Sequence, residues 1–292
     1  MKKLVLAAIT AGFGVTASTA QAVENWTPYT TGIAIGSAAG ALPAPGVYFQ
    51  NTTYYADIRS HDSNGNNNGV KINAIVDVPV LLWAPDVQVL GAKYAVYAVQ
   101  PFDRVTTSVG DRTYTQAGLF ETILSPLNLS WELPSDFHFA TGLAVYLPDG
   151  TFNSKKAGAP PSSNFWSFEP SIGISWLHDG WNLSAKVLAD FNLENDVTHY
   201  QSGHVANLDA SASKRFGKWS FGLGGYARVQ FSDDEQNGKR VGDGNRAEEY
   251  GVGPYAGYDF GPVTLEAFYT EAVAWKNESA GSRFFTRLGV PF

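Results

Sequence analysis

The chain of 292 residues contains no cysteine. Disulfide staples and thiolate metal sites are thereby excluded. Charge is scarce as well: Asp, Glu, Lys and Arg together make up 16%, against about 25% in an average soluble domain. The basic sign is the scarcer one, with 20 groups against 27 acidic for a formal net charge of −7. Such a chain is a poor nucleic-acid binder, because phosphate affinity is supplied by Lys and Arg. No stretch beyond the N-terminus offers the roughly 20 consecutive apolar residues of a transmembrane helix. The longest uncharged run, 25–56, is interrupted by Pro28, Pro43, Pro45 and several glycines, which break helices. The five histidines, His61, His138, His178, His199 and His204, show no metal-ligand spacing, so neither metal nor cofactor is expected. What the chain does have is aromatic residues (14%) and 30 glycines. So many aromatics with so few charges argue against disorder. A long, aromatic, Gly-rich chain of near-neutral mean hydropathy points to a transmembrane β-barrel, in which apolar and polar residues alternate and cancel in the average.

The N-terminus reads as an export signal. Lys2 and Lys3 precede the apolar stretch Leu4 to Val15, and Ala20-Gln21-Ala22 supplies the small-residue cleavage pattern. Cleavage after Ala22 is expected, leaving a segment 23–45 and a barrel 46–292.

The remainder alternates with period two, the signature of half-buried strands. Trp166, Phe168, Ile172, Ile174 and Trp176 fall on one face; Ser167, Glu169, Ser171, Gly173 and Ser175 fall on the other. The pattern recurs from Trp181 to Phe191, from Trp219 to Phe231 and from Phe137 to Leu147, and is less clean around Lys93 and Glu121. Strands are expected at 46–59, 70–83, 87–100, 114–131, 136–148, 166–177, 181–193, 203–215, 219–231, 247–260, 262–275 and 282–292. That makes an all-β, antiparallel, up-and-down transmembrane barrel of about twelve strands. Tight turns alternate with long connections at 60–69, 101–113, 149–165, 194–202, 232–246 and 276–281. Outer-membrane barrels show this asymmetry, with the tight turns periplasmic. Trp83, Trp131, Trp176, Trp181 and Trp219 flank the tight turns, as an aromatic girdle at the headgroup level would. Outer-membrane lipid and lipopolysaccharide are the expected surroundings. Phe292 closes an alternating terminal run, the ending read by the barrel assembly machinery.

The segment from Gly40 to Asn51, with Leu42, Pro43, Pro45, Gly46 and Tyr48, followed by Tyr54-Tyr55, resembles the start of proteins in the family of the MetA pathway of phenol degradation (SphA-like). The ending Phe285-x-Arg287-x-x-x-Pro291-Phe292 is similar to that family's as well. Family members commonly carry two adjacent prolines where this chain has Pro43-Ala44-Pro45. The resemblance implies a Gram-negative outer-membrane barrel that transports small hydrophobic or aromatic compounds for catabolic pathways.

Charges at strand midpoints must avoid lipid, where Lys or Arg costs about 2–4 kcal/mol. Lys71, Asp77, Glu169, Lys186, Asp190, Arg228, Glu249, Asp259, Glu266, Arg283 and Arg287 are therefore expected to line the lumen, facing water or pairing with one another. The nearly uncharged residues 23–45 are expected to fold into the lumen as a plug or gate for a hydrophobic solute; the alternative is a periplasmic tail. Lumen glycines such as Gly222, Gly224 and Gly225 would relieve crowding. A second function class is an outer-membrane lipid hydrolase. His61-Asp62-Ser63-Asn64-Gly65 looks like the H-x-S-N-G stretch of outer-membrane phospholipase A, which would make Ser63 the nucleophile, His61 the base and Asn73 the third group. The Asn/Gly-rich surroundings read instead as a loop tip, and no enzyme is expected. A structural barrel without transport is the third class.

Overall fold

The computed structural model describes residues 28–291. The signal segment, residues 23–27 and Phe292 lie outside the described residues. Twelve barrel strands follow one another: β1 (Gly46–His61), β2 (Asn67–Ala84), β3 (Ala92–Val99 and Phe102–Val109), β4 (Arg112–Leu119 and Ile123–Glu132), β5 (Phe137–Tyr146), β6 (Ser167–His178), β7 (Trp181–Asn192), β8 (Val205–Phe216), β9 (Trp219–Gln230), β10 (Glu248–Asp259), β11 (Thr264–Lys276) and β12 (Ser279–Pro291). Each pairs antiparallel with its neighbours in sequence, and β1 also pairs with β12 from Tyr48↔Pro291 to Ser60↔Ser279. The ring is therefore closed. Closure leaves no sheet edge with unpaired backbone groups facing lipid, which is the condition for crossing a bilayer with strands.

The tight turns use residues suited to them. His178 and Trp181 pair across Asp179-Gly180, both in the left-handed region (φ 45° and 74°). Asp-Gly with two positive φ values is the two-residue turn that matches strand twist. The tryptophans beside these turns point outward, Trp83, Trp181 and Trp219 being largely exposed.

Two expected long connections are not loops. Residues 102–109 and 112–119 form a hairpin with its tip at Gly110-Asp111, and it extends the wall along the upper half of β2, from Asp77↔Phe102 to Val70↔Val109. The Val/Thr alternation of this stretch suits a pleated surface. Pro101 interrupts the ladder without ending the strand: Phe120 N–H donates to the Pro101 carbonyl at 3.0 Å. The connection after β11 shrinks to Asn277-Glu278, with Asn277 at φ 48°, a conformation Asn tolerates. The genuine long loop 147–166 folds over the free edge of the upper piece of β4. Leu119 and Thr151 exchange hydrogen bonds of 3.0 and 2.8 Å, and Gln116 reaches the Gly158 carbonyl at 2.9 Å.

The wall differs in polarity around its circumference. On β6 to β12 the outer face is apolar, with Ile172, Leu223 and Val252 more than half exposed, while Glu169, Asp190, Asn207, Arg228 and Glu249 are buried inside. On β2 the order is reversed. Val70, Ile72, Ala74 and Val76 are buried, and Val78, Val80 and Leu82 continue the inner face downward. Lys71 and Asp77, expected in the lumen, therefore point outward. Lys71 pairs with Asp57 at 3.2 Å, and Asp77 accepts from Asn51 and Thr53 at 2.6 Å each. Period-two alternation separates two faces but does not say which is inside. Charge points to the lumen only where the other face meets lipid, and β1 and β2 instead solvate their outward charges with neighbouring polar side chains.

Candidate functional site

The lumen holds the chain's own N-terminal segment. Residues 30–41 wind through consecutive turns, with Ile33, Ile35, Ser37 and Ala41 each donating to a carbonyl three residues earlier. Asp209 on β8 collects three donors: the Tyr29 hydroxyl at 2.7 Å, Gly32 N–H at 2.9 Å and Ala34 N–H at 2.9 Å. Arg228 donates to the Tyr29 carbonyl at 2.6 Å, and Arg287 to the carbonyls of Ile33 and Ile35. Farther along, Gly36 N–H meets Ser211 at 3.1 Å, Gly40 N–H meets Ser175 at 2.8 Å, and Ser130 donates to the Gly40 carbonyl at 2.8 Å. All of these anchors but Ser130 on β4 lie on the polar wall, and each satisfies a backbone group that would otherwise be buried unpaired.

Two wall glycines make room for this segment. A Cβ on Gly224 would stand 2.5 Å from the Ile35 side chain, and one on Gly173 only 2.1 Å from the Ala39 carbonyl oxygen. Both are contacts a larger residue cannot make without displacing the segment.

Nine of the eleven expected lumen charges do line the interior, and most are spent on partners. Arg283 grips Glu249 through two nitrogens at 2.8 and 3.2 Å, and Tyr226 also donates to Glu249 at 2.9 Å. Arg287 pairs with Glu266 at 2.6 Å, to which Tyr255 donates at 2.8 Å. Arg228 pairs with Glu278 at 3.2 Å. Tyr146 donates to Glu169 at 2.6 Å, with Lys186 at 3.7 Å from the same carboxylate. Asp190 accepts from Asn207 at 3.1 Å. Asp259 sits at the rim, capping Gly261 N–H at 2.8 Å. Buried carboxylates and guanidinium groups are tolerated only when paired in this way.

Sequence reasoning missed Asp209, Glu278 and Asp103. Asp209 was visible in principle, since Asn207, Asp209, Ser211 and Ser213 alternate with Leu208, Ala210 and Ala212. Glu278 and Asp103 fall in the expected connections 276–281 and 101–113, where no alternation assigns a face.

Between the N-terminal segment and the apolar wall lies a cavity of about 920 Å³. Leu42, Pro43 and Tyr48 line one end of it, near the turn Asp259 to Thr264; Tyr54, Val76 and Asp103 line the other. Beyond that inner end the interior is filled by a packed cluster including Ile58, Val70, Ile72, Val105, Ala159, Phe268 and Phe285. The remaining motif residues are structural. Pro45 precedes Gly46, which opens β1, and the Tyr48 hydroxyl donates to the Ala44 carbonyl at 2.8 Å.

The His61–Ser63 stretch forms an Asp-capped turn. Asp62 accepts from Asn64 and Asn66 N–H at 2.9 and 2.8 Å, and burial-free hydrogen bonding from Asn66 holds its carboxyl below the usual range. His61 packs against Trp275 with the rings tilted and 4.8 Å apart, and its Nδ1 faces the Glu278 carbonyl. Asn73 donates to the Tyr55 hydroxyl at 2.9 Å on the outer face. His61 and Asn73, the candidate base and third group, are thus engaged elsewhere.

Comparison with known proteins agrees with the fold. The structure is similar to the COG4313 outer membrane channel from Pseudomonas putida F1, with a TM-score of 0.77 at 17% identity, covering 87% of this chain and 98% of that one. It is more distantly similar to the beta domain of the Bordetella autotransporter BrkA, with a TM-score of 0.51 at 12% identity, covering 86% and 100%. Likeness at these identities is a likeness of fold. Among curated proteins none matches. Residues 56–288 match the family described by the MetA pathway of phenol degradation, so this closed twelve-stranded barrel belongs to that family.

Proposed function

We propose that the barrel is a channel for passive uptake of small hydrophobic or aromatic compounds, serving a catabolic pathway. The observation that carries this reading is the division of the lumen. The N-terminal segment covers much of the polar wall, whose charges pair with one another or with that segment, while Val76, Val78, Val80 and Leu82 give the cavity an apolar side opposite Glu169 and Lys186. An apolar lining of that size suits an uncharged aromatic solute, which gains about 25 cal/mol for each Å² it removes from water. The solved outer membrane channel of similar fold supports a channel, and the phenol-degradation family supports an aromatic cargo.

Residues 28–45 act in this reading as the gate. Their hydrogen bonds to Asp209, Arg287 and Ser175 hold them across the lumen, and solute passage requires part of that set to let go. The terminal alternation ending in Phe292 serves as the assembly signal, and lipopolysaccharide surrounds the upper wall.

The test is uptake of radiolabelled naphthalene by cells lacking the native gene and complemented with wild type or with Val78→Asp/Val80→Asp. Two carboxylates on the apolar wall are expected to lower the uptake rate at least tenfold, with barrel folding checked by heat-modifiable gel mobility. Equal uptake by both, or uptake equal to that of uncomplemented cells, refutes the proposal.

A further inference from the structure

One carboxylate in the cavity is not spent on a partner. Asp103, on the inner face of β3 opposite Val76 of β2, is 7% exposed and lines the inner end of the cavity. Its Oδ1 is buried, and no donor among the described residues reaches it. The contrast with the polar wall is sharp: Glu169, Asp209, Glu249 and Glu266 each accept from a tyrosine hydroxyl at 2.9 Å or less. The surroundings of Asp103 are Val76, Val99, Pro101 and Phe120, together with the Tyr54 hydroxyl, which is itself engaged with Thr30 at 3.1 Å. The neighbouring acid, Glu121, is committed to the loop above, accepting from Ser162 at 2.9 Å and Asn164 N–H at 2.7 Å. It adds negative charge near Asp103 rather than relieving it.

We infer that Asp103 is a specificity-determining residue of this cavity, taking the hydrogen-bond donor of a small aromatic ligand, a hydroxyl or an amino group, while the ring lies on the valine-lined wall. The inference rests on the aromatic-channel reading and sharpens its substrate class. An acceptor buried without a donor carries an unrecovered desolvation cost. A ligand hydroxyl relieves it; a plain hydrocarbon leaves it standing, and an aromatic carboxylate brings a second acid into a site that offers it no cation. Leaving a buried acceptor unpaired carries the full desolvation penalty of that group, so the discrimination is expected to reach at least tenfold.

The experiment is equilibrium dialysis of 2-naphthol, naphthalene and 2-naphthoate against the full chain in lipid nanodiscs, with empty nanodiscs subtracted. Wild type is expected to bind 2-naphthol at least tenfold more tightly than either of the others. Asp103→Val is expected to bring 2-naphthol and naphthalene within about threefold of each other, with naphthalene bound no more weakly than by wild type. Should Asp103→Val fail to fold, Asp103→Asn, which keeps the volume, decides the matter: at least a threefold loss of the 2-naphthol preference is expected, and an undiminished preference overturns the inference. Wild type binding all three ligands equally, or a preference that survives Asp103→Val, overturns it while leaving the aromatic-channel reading intact. Binding of none of the three overturns both.

Discussion

Asp209 is the residue on which docking of the N-terminal segment depends most, and its removal has a calculable effect. It is 3% exposed and accepts from Tyr29, Gly32 and Ala34 at 2.7 to 2.9 Å. Hydrogen bonds to a charged group contribute about 1.5–3 kcal/mol each. The low figure for all three bonds gives about 4.5 kcal/mol. Neighbouring interactions are not additive, and the variant also escapes the cost of burying a carboxylate. Half of that sum, about 2 kcal/mol, still changes the ratio of released to docked segment roughly thirtyfold. Asp209→Ala in planar bilayers is therefore expected to show larger-conductance openings at least tenfold more often than wild type. Asp209→Asn should behave similarly, because its amide nitrogen would face donors. Conductance histograms indistinguishable from wild type, with a correctly folded barrel, would refute the idea that these bonds hold the segment across the lumen.

Two further outcomes follow from the same network. Arg287→Ala breaks an ion pair with Glu266 in which the guanidinium side is 5% exposed and strips the Ile33 and Ile35 carbonyls of their donor. Breaking a buried pair costs about 3–5 kcal/mol, so the temperature of heat-modifiable mobility change should fall clearly, and fall less for Arg287→Ala/Glu266→Gln, which leaves no unpaired carboxylate. Outside the membrane, burial holds the Asp234 carboxyl above its ordinary range, against opposing hydrogen bonds from Tyr200, Gly203 and Gln230. The folded loop thus keeps its proton to higher pH than the unfolded chain. Local stability is greatest below the ordinary carboxylate pKa and declines as pH rises toward the raised value. Amide exchange at Gly203, whose N–H binds Asp234 at 2.7 Å, should show less protection at pH 7 than at pH 4 after correction for intrinsic rates, and Asp234→Asn should abolish the difference.

Much of the architecture was legible in the sequence because lipid imposes a simple rule. Where one face of a strand meets hydrocarbon, apolar and polar residues must alternate, and β6, β7 and β9 obey it from Trp166 through Phe231. That rule located those strands, the Trp-flanked turns and lumen charges such as Glu169, Lys186 and Arg228. It failed where the outer face does not depend on lipid alone. Lys71 and Asp77 alternate like lumen residues yet point outward, solvated by Asp57, Asn51 and Thr53. Asp103 falls in the expected connection 101–113, whereas the ladder continues from Phe102 to Val109.

The sequence by itself determined the class: no cysteine, few charges, abundant aromatics and period-two alternation leave a lipid-spanning barrel, because only alternating strands reconcile those quantities in one chain. The tertiary structure decided what fills it. The folding of β10, β11 and β12 against one another brings Arg287 beside Glu266 on the adjacent strand and Arg283 beside Glu249 one strand farther, and enclosure of the N-terminal segment by the closed ring brings Asp209 beside residues 175 and more positions earlier in the chain. No local pattern encodes those meetings. They set the polar wall against the N-terminal segment and leave the apolar wall, with Asp103 at its inner end, to face the cargo.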